Sequence, residues 1–138
     1  MVFPTWLPVE AGAEVVDLVP GAGEALRDLY ASLWDAGVDP AVLEACRAAI
    51  EATIGTRPRG GGGEADAATQ AAVRFSEQYV VDAHGVTDAQ AAVLHEHFTD
   101  EQLAALTTAI ATFDALARVR AVLTAAGGTP VTFTVEEG

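Results

Sequence analysis

Three charged side chains, Glu44, Arg47 and Glu51, fall at i, i+3 and i+7, so they share one face of a helix opposite its apolar stripe. Two readings are open. They are a solvated triplet worth about 0.3–0.5 kcal/mol per pair, or they line a cavity in which a glutamate moves a proton and an arginine orients an anion. Arg57 and Arg59 flank Pro58 in GTRPR. Their guanidinium forks suit a carboxylate or phosphate, the alternative being surface counter-charge in an acidic chain. Asp82 and His84 stand at the end of a helix in VVDAHGVTD. The helix dipole favours imidazolium there, and a nearby carboxylate can fix its tautomer; the plainer role is a cap beside Gly85. Arg118 follows Asp114 by four residues, which makes it either a structural ion pair or a cation facing a substrate.

Other chemistries find no foothold. Cys46 is the one cysteine, lies on an apolar helix face and reads as a small core residue rather than a redox centre. His95 and His97 are two apart on a helix and point to different sides, a poor metal pair, and there is no HExxH, CxxC or DxDxDG-like loop. Neither Ser32 nor Ser76 sits in a GxSxG elbow. The chain has no lysine, which removes Schiff-base, pyridoxal-phosphate and P-loop chemistry. No metal and no cofactor is expected.

Helices must position these residues. Leu26, Leu29, Tyr30 and Leu33 predict a first helix over about 22–34, stopped at Gly37. Asp39-Pro40 is an N-cap with proline at the first helical position, and Val42, Leu43, Cys46, Ala49, Ile50 and Ile54 line the helix that runs from there to Gly55. The run RPRGGGGE over 57–64 predicts a mobile loop, since four glycines carry too much backbone entropy for regular structure. A third helix follows over about 65–83. Thr87-x-x-Gln90 and Thr99-x-x-Gln102 are capping boxes that open helices over about 88–97 and 100–126. Residues 1–20 read as an irregular arm, with a short helix near Ala13 at most. The tail 129–138 alternates like a strand, but with no second strand to pair with it reads as an arm. The fold class is therefore all-α, in a single domain.

The chain has 138 residues, enough for one core without staples. Twenty acidic residues against seven basic ones give a net charge of −13, which repels nucleic acid and anionic membrane surfaces. A 51% apolar content without any run long enough for a membrane helix leaves apolar surface to be covered. The last helix alone carries Leu103, Leu106, Ile110, Phe113, Leu116, Val119, Val122 and Leu123 over more than one face. An obligate homo-oligomer, most simply a dimer, is the expected solution. With one cysteine and no basic leader, a cytoplasmic location is the default.

The stretch from Arg74 to Leu123 contains RFSEQYVVDA, a GVTD turn, a helix ending in HEHF, a TDEQL restart and FDALAR. In these elements, over about a third of the chain, it resembles the C-terminal half of the carboxymuconolactone decarboxylase-like proteins, which include the alkylhydroperoxidase-D-like (AhpD-like) proteins. The resemblance implies an AhpD-like multi-helix domain that assembles as an oligomer. Thiol-active members carry Cys-x-x-Cys followed by His, with a glutamate twelve residues before the first Cys. That glutamate position is Glu44, while the two cysteine positions fall at Thr56 and Arg59 and the histidine position at Gly63. Without the thiol pair, disulfide or peroxide chemistry is excluded. Arg118 matches an arginine of the family's last helix, and the region around 56–67 is shortened.

The expected function is then a cofactor-free protein that binds or converts a small organic acid or natural-product-like compound. Glu44 and His84 are its candidate catalytic groups, and Arg47, Arg57, Arg59 and Arg118 its candidate substrate-binding groups. The alternative is a non-catalytic oligomeric protein that has lost the family site. A cavity lined by Glu44, Arg57 and His84 favours the first, a solid core the second.

Overall fold

The computed structural model describes residues 23–55 and 65–125. They form five helices, α1 (Gly23–Leu33), α2 (Pro40–Ile54), α3 (Ala67–Asp82), α4 (Asp88–His97) and α5 (Asp100–Ala125), with a 3₁₀ turn at Ala83–Gly85 between α3 and α4. The all-α class expected from the helical periods is what forms, and no strand occurs among the described residues. The N-terminal arm, Arg57, Arg59, the glycine run and the C-terminal tail lie outside the described residues.

Capping chemistry sets the boundaries. Asp39 Oδ1 accepts from the Ala41 N–H at 2.9 Å, ahead of Pro40, whose missing N–H costs nothing at a helix start. At the other end of α2, Gly55 adopts φ +97° and donates its N–H to Glu51 at 2.9 Å, a left-handed cap that side chains with a Cβ resist. Both threonine boxes close reciprocally. Thr87 Oγ1 accepts from Gln90 N–H while Gln90 Oε1 accepts from Thr87 N–H, and Thr99 and Gln102 repeat the arrangement. The start of α3 differs from the expectation by two residues. Asp66 accepts from Thr69 N–H at 2.7 Å and starts the helix at Ala67.

The core forms where α2 packs against α3 and α5, with α1 added on α5. Leu43, Cys46 and Ile50 of α2 meet Ala72 and Ser76 of α3 and Leu106, Ala109, Ile110 and Phe113 of α5, all at most 2% exposed. Spacings of three and four keep each set on one stripe, so each helix removes one face from water. Tyr30 of α1 and Trp34, just past its end, lie against Phe113, with ring centroids 5.9 and 5.7 Å away. The α5 residues expected to need several partners are largely satisfied within one chain. Leu106, Ile110 and Phe113 are buried, Leu103 and Leu116 half-buried, and Val119 and Val122 exposed.

Cys46 is fully buried, and burial pushes its thiol up to about 11, the neighbouring Ser76 hydroxyl opposing the shift in part. Thiolate is the reactive form. The native protein should therefore fail to react with a thiol-specific reagent at pH 8, and one equivalent should react on unfolding. Rapid labelling of the native protein would contradict this placement.

Candidate functional site

The residues singled out by type and spacing are mostly at work holding helices together. Arg47 forms a fork on Glu44, with Nε to Oε2 at 3.0 Å and Nη2 to Oε1 at 3.2 Å. Its Nη1 donates to the buried Tyr30 hydroxyl at 3.1 Å, which straps α2 to α1. Burial opposes the Arg47 charge, but the bonds to Glu44 and Tyr30 outweigh it and raise its pKa. Burial likewise raises that of Tyr30. Glu44 and Arg47 thus form a tertiary tie, and Glu51 is half-buried on the same helix.

His84 is exposed in the 3₁₀ turn. Asp82 Oδ1 accepts from the His84 backbone N–H at 3.0 Å, so the carboxylate caps the turn. Arg118 does pair with Asp114, Nε to Oδ1 at 2.9 Å, and also donates through Nη2 to the Val80 carbonyl at 2.8 Å, which fixes α5 to the end of α3. Its guanidinium is exposed while Asp114 is the more buried partner. His95 faces Asp100 at 3.5 Å. Among the described residues no three His, Cys, Asp or Glu side chains gather into a metal cluster.

A different set of residues forms a site. The short turn after α3 folds α4 back along it, bringing His97 into electrostatic reach of the α3 cap residue Asp66. Hydrogen bonds from Thr69, supplemented by the His97 charge, hold the Asp66 carboxyl below its usual range. Between the helices lies an open groove of about 260 Å³, lined on one wall by Ala67, Gln70, Ala71, Arg74 and Phe75, and on the other by Gln90, Val93 and His97. The α3 residues recur at i, i+3, i+4, i+7 and i+8, and those of α4 at i, i+3 and i+7, so each set is a single helical face. None of Glu44, Arg47, His84 or Arg118 lines it.

Arg74 is the outstanding member. Arg47 and Arg118 are spent on ion pairs and tertiary hydrogen bonds, whereas Arg74 is exposed and has no hydrogen bond or ion pair among the described residues. Phe75, Ala71 and Val93 give the groove an apolar lining beside that fork. An apolar recess with one permanent cation accommodates the body and carboxylate of a small acid.

No protein-family model, curated protein or solved structure matches this chain. The groove is therefore read on its own chemistry. Sequence reasoning passed over Arg74 and His97 as site residues, although both lie in the RFSEQ and HEHF segments. The available signal was the pairing of two helical faces across a short turn, each carrying a glutamine and a basic side chain.

Proposed function

We propose that this protein is a cofactor-free helical binding protein for a small organic acid, acting without thiol chemistry, with the ligand's carboxylate on Arg74 and its apolar part against Ala71, Phe75 and Val93. The observation that carries this reading is the uncommitted Arg74 guanidinium at the edge of the groove. A relationship to the carboxymuconolactone decarboxylase-like proteins, suggested by the Arg74–Leu123 stretch, belongs to the same proposal and is consistent with five helices and a buried, inert cysteine.

The net charge of −13 works against an anionic ligand at long range. That repulsion is screened beyond ~8 Å at physiological salt, whereas a carboxylate seated on Arg74 is in direct contact. The local attraction wins for a small ligand. Isothermal titration with benzoate and with the isosteric neutral benzamide tests the reading: saturable binding of benzoate, and much weaker binding of benzamide, is expected. Equal affinity for the two, or none for either, would refute it.

A second component of the proposal is self-association, favoured by Val81 and Val122, which are 74% and 63% exposed. Large apolar side chains left in water at ~25 cal/mol per Å² favour a covering partner, and a second copy is the simplest. Light scattering at low micromolar concentration should give at least twice 14.2 kDa. A stable, folded monomer would remove this component without touching the groove.

A further inference from the structure

We infer, building on the organic-acid reading of the α3–α4 groove, that its ligand is an elongated carboxylic acid whose apolar body is two linked rings long and runs from Arg74 towards the start of α3. The groove extends past the residues that a single ring needs. Ala71, Phe75 and Val93 take one ring beside the Arg74 fork, yet the lining continues on both walls, to Ala67 on α3 and to His97 on α4. His97 lies in electrostatic reach of Asp66, the residue just before Ala67. The two helices therefore run in opposite directions here, and both extensions lie at the same end of the groove.

Ala67 precedes Ala71 by four residues, and His97 follows Val93 by four. At a rise of ~1.5 Å per residue each wall continues for about 6 Å, room for a second ring in line with the first. The extension is shallow and largely apolar. Ala67 and Ala71 carry nothing beyond Cβ. Gln70, the other α3 residue at this end, turns its amide back to the Ala65 carbonyl, Nε2 to O at 2.7 Å. On the opposite wall the Gln90 amide is turned to the Thr87 N–H at 3.0 Å, at the start of α4 and away from the His97 end. In the other direction no described residue beyond Phe75 and Gln90 lines the groove, so the ligand lengthens towards Ala67.

The test is isothermal titration of the full chain with benzoate, para-phenylbenzoate and ortho-phenylbenzoate. The two phenylbenzoates share one composition and one charge, so general apolarity and repulsion by the acidic chain cancel between them and only reach differs. The para isomer should bind about tenfold or more tightly than either of the others. At ~25 cal/mol per Å² that gain requires only about 55 Å² of apolar surface taken out of water. Ala67→Glu sets a hydrated carboxylate where the second ring sits, at an exposed first-turn position where acidic side chains favour the helix. It should bring the preference for the para isomer over benzoate down to about twofold or less. Should circular dichroism show that this variant does not fold, the comparison of the two isomers on the native chain decides alone. No preference for the para isomer, or a preference that survives in folded Ala67→Glu, overturns the inference and leaves the organic-acid reading standing. Failure of all three acids to bind overturns both.

Discussion

Ile110→Ala will lower the free energy of unfolding by about 2–5 kcal/mol. Ile110 is fully buried, between Ala109 and Phe113 in sequence, on the α5 stripe that packs with α2. Truncation removes transfer energy and also leaves a cavity, because neighbours such as Leu43, Ile50 and Leu106 sit on rigid helices that relax only in part. Against a typical total of ~5–15 kcal/mol, this is a large share of the stability of an average domain. Urea unfolding should show a lower midpoint with an unchanged slope. A loss under about 1 kcal/mol would mean that α5 is not the centre of the core.

Arg74→Ala will weaken benzoate binding by roughly tenfold to a hundredfold, since a hydrogen bond to a charged group is worth about 1.5–3 kcal/mol. The same substitution should change stability by no more than about 0.5 kcal/mol, because Arg74 is exposed and makes no tertiary tie among the described residues. Arg74→Lys should fall between the two, keeping the charge but losing the two-pronged geometry. The contrast with Arg118 is informative. Arg118→Ala removes the contacts to Asp114 and the Val80 carbonyl, so its loss should register in stability rather than in binding.

The helices were legible because their ends are written in local chemistry. Asp39-Pro40, the two Thr-x-x-Gln boxes and Gly55 act on backbone atoms within four residues, so short-range pattern suffices to place them. The start of α3 was misplaced by two residues because the Asp66 cap carries no accompanying glutamate or proline signal. Cys46 was placed in the core by its position on the α2 stripe, and it is there.

The site was a different matter. Type and spacing favour charged residues that share a helical face, and Glu44 with Arg47 did so because they bind each other and Tyr30. Nothing within α2 alone tells an ion pair from a cavity wall. The α3–α4 groove depends on two faces distant in sequence, with Gln70 and Arg74 on one and Gln90 and His97 on the other, and it exists only once α4 has folded back on α3. The short turn between those helices was visible in the sequence, but which faces it brings together is a property of packing.

The most direct measurement is a ¹H–¹⁵N NMR titration of the protein with benzoate, read amide by amide and repeated on Arg74→Ala. Saturable shifts are expected at residues 67–75 of α3 and 90–97 of α4, absent or strongly weakened in the variant, with the amides around Glu44 and His84 unmoved. Shifts centred on Glu44 or His84, or shifts in the groove that persist undiminished in Arg74→Ala, would contradict this expectation.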